Sequence, residues 1–263
     1  MRPYLAILSA RFRALLQYRA AAIAGLGTQV FWGLIRMMIF IAFYENAPSA
    51  PPMQLDQVVA YIWLGQAFLM LLPGFHNDTE LEMMIRTGNI SYELLRPVDL
   101  YNLWLSRSIA GRIAPTALRA APILVLAAVA GWIRLPSPAG LAAFAAAIIA
   151  AAVLSSAICT VLTITMFWTT SGQGIARLSA VAIYFLSGIV IPLPLFPDFM
   201  QPILNVLPFR GLMDVPFRLY TGHIAASDGL AVIGQQLAWT AALMLFGRWL
   251  LSRGLRRVVV QGG

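Results

Sequence analysis

The sequence predicts an all-α polytopic membrane protein with six transmembrane helices, and three observations predict it. Hydrophobic residues make up 60% of the 263 and charged residues only 11%, whereas soluble domains are about 25% charged and about half apolar. Several apolar runs approach or pass the roughly 20 residues that a helix needs to cross a bilayer. The arginines flank those runs instead of forming one phosphate-binding face, so the formal charge of +8 reads as topology and implies no nucleic-acid partner.

Residue types then exclude chemistry. All 18 basic residues are arginine. Without lysine there is no Walker A loop, whose lysine must reach the β- and γ-phosphates, and no Schiff base. If ATP is used, another chain hydrolyses it. Cys159, the single cysteine, lies in an apolar run and forms no intrachain disulfide. His76 and His223 are isolated, without metal-ligand spacing. No metal or catalytic residue is expected.

The elements follow in order. Leu5, Leu8, Phe12 and Leu15 fall at helical spacing with Arg11, Arg13 and Arg19 off that stripe, which predicts an N-terminal amphipathic interfacial helix over 1–19. The first span, 20–44, is too long for a signal-peptide core, so it is read as retained despite a faint cleavage-like Ala47-Pro48-Ser49-Ala50. The second span, 58–72, ends at Pro73-Gly74. The third and fourth, 113–133 and 139–168, are joined by a tight turn at Arg134-Leu135-Pro136-Ser137-Pro138. Gly172 and Gly174 mark the turn into the fifth, 175–191, and the sixth covers 230–251.

With the N-terminus inside, inner segments hold Arg2, Arg11, Arg13, Arg19, Arg86, Arg96, Arg107, Arg112, Arg177, Arg248, Arg253, Arg256 and Arg257. The outer loops hold only Arg134, Arg210 and Arg218. That bias places both termini in the cytoplasm. The chain reads as one transmembrane domain, 1–263. Its longest non-spanning pieces are a cytoplasmic segment, 74–112, and an outer segment, 192–229.

The inner segment is built, not slack. Thr79-Glu80-Leu81-Glu82 matches a capping box, Leu81, Met84 and Ile85 share one helical face, and Gly88-Asn89 is a helix stop. A second short turn begins near Ser91, presents Leu94 and Leu95 and ends at Pro97. From Leu100 a further helix, with Leu103, Trp104, Arg107 and Arg112, climbs into the third span. A rigid protrusion of this kind suggests docking of a soluble partner.

The outer segment carries Pro192, Pro194, Pro197, Pro202, Pro208 and Pro216 among apolar residues. Prolines this dense prevent one continuous spanning helix, and the apolar residues between them still need burial. Short helices re-entering the leaflet meet both demands when protein covers their backbone. Inside the spans, Arg36 costs on the order of 2.5–3.5 kcal/mol to insert, so it faces protein or water. It is a candidate pathway residue; pairing with a carbonyl and snorkelling are the other readings. Arg119 is read as snorkelling. Ser155, Ser156, Thr160, Thr163 and Thr165 in the fourth span suit close helix packing.

The stretch Ile85 to Trp104, IRTGNISYELLRPVDLYNLW, resembles the cytoplasmic segment of bacterial ATP-binding-cassette type-2 exporter permeases, and the whole layout is similar. The resemblance implies a coupling helix between spans two and three, seated in a groove of a cognate ATPase subunit. By position it implicates Glu82, Ile85, Arg86, Thr87, Gly88, Tyr92 and Arg96. It also implies a re-entrant hairpin closing an outer gate, with Phe196, Pro197, Phe199, Leu207, Pro208 and Phe209. Expected partners are that ATPase, holding ATP and Mg, a second permease chain as homodimer or heterodimer, and lipids of a bacterial inner membrane. The expected cargo is a lipid, a glycan precursor or an amphipathic drug. Two other classes stay open: a membrane enzyme acting on a lipid-linked substrate, for which Asp78, Glu80 and Glu82 are the one tight acidic cluster, and an ion-coupled secondary transporter.

Overall fold

The computed structural model describes residues 6, 9, 10, 12–14, 19–74, 78–169 and 173–256. Those described before residue 19 are helical, but the expected interfacial helix over 1–19 lies mostly outside the described residues, as do His76 and Gly172. Every regular element among the described residues is helical.

Six apolar helices form the body: α1 (Arg19–Glu45), α2 (Leu55–Phe68), α5 (Leu100–Val129), α6 (Pro138–Ile164), α7 (Gln173–Leu186) and α10 (Gly229–Leu255). Two short helices, α3 (Thr79–Thr87) and α4 (Ser91–Leu94), lie between α2 and α5. Another two, α8 (Gln201–Val206) and α9 (Asp214–Tyr220), lie between α7 and α10. Among the described residues, four helices are long and apolar enough to cross a membrane, those within Gly25–Glu45, Leu100–Val129, Pro138–Phe167 and Ala226–Leu255. The other two expected spans are shorter: Leu55–Leu71, which includes a terminal 3-10 turn, and Gly174–Leu186. The fifth helix stops at Leu186, short of the expected 191, because Gly188 takes a left-handed φ of 86° and turns the chain.

α2 is the buried helix of the bundle, with Val58 and the run from Ala60 to Phe68 enclosed. Trp63 stacks on Trp132 at 4.5 Å, and Gln29 of α1 donates to the Gln66 carbonyl at 3.1 Å. α6 packs through small residues. Ala147, Ala150, Ala151 and Ala157 are buried, and Ser156 and Thr160 return their hydroxyls to their own helix, donating to the carbonyls of Ala152 and Ser156. This is the packing use of small hydroxyl residues. Apolar side chains on α1, α7 and α10, among them Trp32, Met38, Leu178, Val181, Leu245 and Trp249, face outward, as lipid-facing surfaces do.

α5 runs unbroken from Leu100 despite Pro115 and Pro122, so the climbing helix and the third span are one element. Asp99 caps its start, accepting from the Asn102 N–H at 2.8 Å. In the proline-rich segment, prolines sit in the first turn of the 3-10 turn Leu193–Leu195, of α8 and of the 3-10 turn Pro208–Gly211. Proline fits there because first-turn N–H groups have no intrahelical partner. The segment is thus a chain of short turns, as its proline density requires.

α10 meets α5 at a glycine. A Cβ at Gly247 would stand 2.7 Å from Tyr101 Cε2, and Tyr101 is buried. Gly234, on the same helix, has open space around it. Gly247→Ala is expected to destabilise the protein by about 1–3 kcal/mol through overpacking. Gly234→Ala should stabilise it by about 0.5–1 kcal/mol through helix propensity. Melting temperatures of the two variants in detergent check the opposite signs.

Candidate functional site

The connection between α2 and α5 holds the candidate site. α3 starts where Asp78 accepts the Leu81 N–H at 3.1 Å. The N-cap is therefore Asp78 and not Thr79, as the capping-box pattern suggests. Asp78 wins because its carboxylate also meets a cation, which the Thr79 hydroxyl cannot do as well. α3 stops at Gly88, whose φ of 74° is left-handed, and the Ile90 N–H reaches back to the Met84 carbonyl at 3.1 Å.

That cation is Arg107 of α5, whose side chain is 6% exposed. Its Nε donates to Asp78 Oδ2 at 2.7 Å and its Nη2 to Asp78 Oδ1 at 3.0 Å, a two-pronged pairing. Nη2 also reaches Glu80 Oε2 at 3.0 Å, and Nη1 reaches Glu93 Oε1 at 2.9 Å. Glu93, on α4, is 2% exposed, and its second oxygen accepts the Trp104 Nε1–H at 2.8 Å. One guanidinium thus ties the start of α3 and the body of α4 to α5. The apolar layer beneath joins Leu81, Ile90, Tyr101, Leu103, Trp104, Ile164 and Leu251, with Met84 and Ile85 against it.

The acidic cluster that kept a lipid-directed enzyme open is largely explained by this pairing, since Asp78 and Glu80 both bind Arg107. Burial, with Asp78 adding to it and Arg86 opposing, pushes the Glu82 carboxyl above its usual range. No group of carboxylate, histidine and cysteine side chains among the described residues has metal-binding geometry.

One turn deeper, Arg112 is buried. Its Nη1 donates to Ser108 Oγ at 2.8 Å, its Nε to Ser155 Oγ at 3.0 Å and its Nη2 to Cys159 Sγ. Ser155 in turn donates to the Leu71 carbonyl in the 3-10 turn that follows α2.

Of the residues expected at a coupling interface, Arg86, Thr87 and Arg96 are exposed, and Glu82 and Gly88 are half-buried. Ile85 packs inward, and the Tyr92 side chain lies outside the described residues. Met83, Leu94 and Leu95 are exposed beside them, Leu95 by 81%. Arg107 and Glu93 were not singled out from the sequence as a pair. They are 14 positions apart and no local pattern links them.

The opposite end, reached where Gln57 of α2 donates to the Thr221 carbonyl, gathers polar groups around the unwound turn after α7. Arg36 donates to the Ile189 and Val190 carbonyls, the latter at 2.8 Å. Buried Asp214 receives the Arg218 Nη1–H at 3.1 Å and, at Oδ1, the Leu193 N–H and the Tyr61 hydroxyl, each at 3.3 Å. The Asp214 N–H donates to the Ser187 carbonyl. Among the expected gate residues, Pro197 and Phe199 are exposed and Phe196, Leu207, Pro208 and Phe209 are half-buried. Leu207 and Pro208 line a shallow cleft with Arg210, Gln236 and Trp239.

A helical body with several membrane-length helices belongs to the class of multi-pass membrane proteins. Within that class the chain belongs to a known family: the sequence model of the ABC-2 family transporter protein matches residues 30–262. It is a permease, the membrane transport subunit of an ABC transporter, and such subunits work with an ATPase partner. No curated protein matches the chain.

Near the proline-rich end, burial and then the neighbouring Arg218 hold the His223 imidazole below its ordinary value of 6.5, against the pull of Asp214. The folded state therefore favours the neutral ring. Its contribution to stability is full above the unfolded value and is lost as the pH falls through the lower folded value. Melting temperature measured against pH should fall below about pH 6.5 more steeply for the wild type than for His223→Gln.

Proposed function

We propose that this chain is the permease of a bacterial ATP-driven exporter. Its six apolar helices cross the cytoplasmic membrane with both termini and the α3–α4 segment on the ATPase side. A second permease chain, identical or related, completes the pathway. The cognate ATPase holds ATP and Mg, and this chain binds neither. The cargo is a lipid, a glycan precursor or an amphipathic drug, and the proline-rich segment around Phe199 and Phe209 closes the outer side. The whole chain, 1–263, acts as one transmembrane domain. Its working parts are the interfacial helix 1–19, the coupling segment 74–112 and the re-entrant segment 192–229.

The observation that carries this reading is the build of the coupling segment. The cap at Asp78, the left-handed stop at Gly88 and the buried ion cluster around Arg107 give this connector a fixed shape, as a surface that receives force requires. Glu82, Arg86, Thr87, Gly88, Tyr92 and Arg96 form the receiving face, and Ile85 anchors it from beneath. Closure of the ATPase on ATP favours one state of the permease by binding it better, so the energy enters as a population shift. Arg36 is the candidate pathway cation, since its guanidinium lies where the unwound turn leaves helical backbone.

Arg86→Glu is the direct test. Purified with its cognate ATPase, the variant should keep the yield and melting temperature of the wild type. It should lose permease-dependent stimulation of ATP hydrolysis. Stimulation equal to the wild type would sink the assignment of this face.

A further inference from the structure

We infer that Arg107 is the positioning residue through which the cytoplasmic segment drives α5, so that α3, α4 and the third apolar helix move as one body. The inference rests on the coupling role proposed for that segment and adds the joint by which motion leaves it.

Three observations carry it. First, the contacts are distributed so that no single element can move alone. Arg107 leaves α5 and binds Asp78, at the first turn of α3, and Glu93, inside α4. Asp78 is also the N-cap of α3, so a shift of that helix pulls on the guanidinium directly. Second, the joint is stiff. A planar guanidinium presents its donors in a fixed fork, and here all three of its nitrogens are engaged. Glu93 is held from its other oxygen by Trp104 of the same α5, which stacks on Phe167. Third, the connection continues beyond the joint. Five residues along α5, Arg112 reaches Ser155 of α6, and Ser155 reaches the Leu71 carbonyl.

The charge arithmetic makes the joint dependent on Arg107. Three carboxylates surround one guanidinium, an excess of two negative charges that the N-terminus of α3 offsets only in part. Without the arginine, Asp78, Glu80 and Glu93 repel one another, and α3 and α4 keep only the apolar seat of Leu81 and Ile90 on α5, which holds them in place but lets them slide. Their outward face, with Arg86, Thr87 and Arg96, is not part of the cluster. Docking and transmission are therefore separable, which a scaffolding role for Arg107 would not allow.

The experiment uses the full permease–ATPase complex with Cys159→Ser, which leaves a cysteine-free chain, and Phe199→Cys as a reporter on the exposed proline-rich segment. The probe is a membrane-impermeant maleimide, and its labelling rate is read with and without ATP. In Arg107→Met the ATPase is expected to co-purify at the wild-type ratio, while the ATP-dependent change in labelling falls about tenfold, within the range seen for residues that carry coupling. Arg107→Lys, which keeps the charge but not the fork, should restore part of the response. Glu93→Gln, nearly isosteric, should weaken it by a smaller factor and serves if Arg107→Met does not fold.

A wild-type ATP response in Arg107→Met or, where that variant is unfolded, in Glu93→Gln overturns the inference. Loss of ATPase co-purification in these folded variants overturns it too, because Arg107 would then only shape the docking face. Failure of the coupling reading shows elsewhere: the parent complex with Arg107 intact would give no ATP response, or Arg86→Glu would leave ATPase stimulation unchanged.

Discussion

Arg107 holds together parts of the chain that have no other strong reason to stay in register. α3 and α4 have nine and four residues, too short to be stable helices alone. Their apolar side chains, Leu81 and Ile90, give them a floor, but hydrophobic contact is non-directional and would tolerate sliding. The guanidinium supplies direction. Its geometry admits the Asp78 carboxylate in one orientation and places Glu93 and Glu80 around it. Removing one partner of a buried pair typically costs about 3–5 kcal/mol because the remaining charge is left uncompensated. Here three charges would be left, with Glu93 deeply buried and Glu80 at 66% exposure able to turn to water.

The same physics, used differently, governs the other end. Backbone that leaves helical geometry inside an apolar environment must find partners for its N–H and C=O groups. After Leu186 the chain does so at residues 187–193, and charged side chains supply the partners. Arg36 covers the Ile189 and Val190 carbonyls from α1, and Asp214 covers the Leu193 N–H from α9. An arginine in the first apolar helix is thus accounted for by a carbonyl pairing that the sequence could only offer as one of its readings. The pathway role proposed for it is compatible with that pairing, because a guanidinium has donors to spare beyond the two carbonyls.

Much of this architecture was legible because it is written in short-range patterns. Run length marked the apolar helices, Gly88 marked the end of α3, and proline density marked the broken backbone between α7 and α10. What escaped was set at long range. Asp78 and Thr79 are both acceptable caps, and Arg107, 29 positions away, decides between them. The fifth helix was drawn too long because Ile189, Val190 and Ile191 continue the apolar pattern. Hydrophobicity does not reveal that Gly188 has already turned the chain. Asp214 escaped attention because one acid among prolines looks like a loop residue, and its burial depends on Tyr61, 153 positions earlier. Local signals specify elements, while buried charge specifies how elements are joined.

α2 shows why joining matters more than the individual elements. It is enclosed on all sides through much of its length, so lipid gives it no face along which to slip. In the 3-10 turn that follows it, the Leu71 carbonyl is fixed by Ser155, which Arg112 also contacts. Further back along the helix, Tyr61 is fixed by Asp214 and packs edge-on against Phe217 at 5.1 Å. A close-packed helix with polar partners at separated points cannot absorb a displacement by deforming gradually; it shifts or it stays. The segment holding α3 and α4 and the proline-rich segment thus both connect to α2 and the turn that ends it, the first through Arg112 and Ser155 and the second through Asp214 and Phe217. Gly65 marks where α2 comes closest to that turn: a Cβ there would lie 2.8 Å from the Cδ1 tip of Ile189, beside the carbonyl that Arg36 holds.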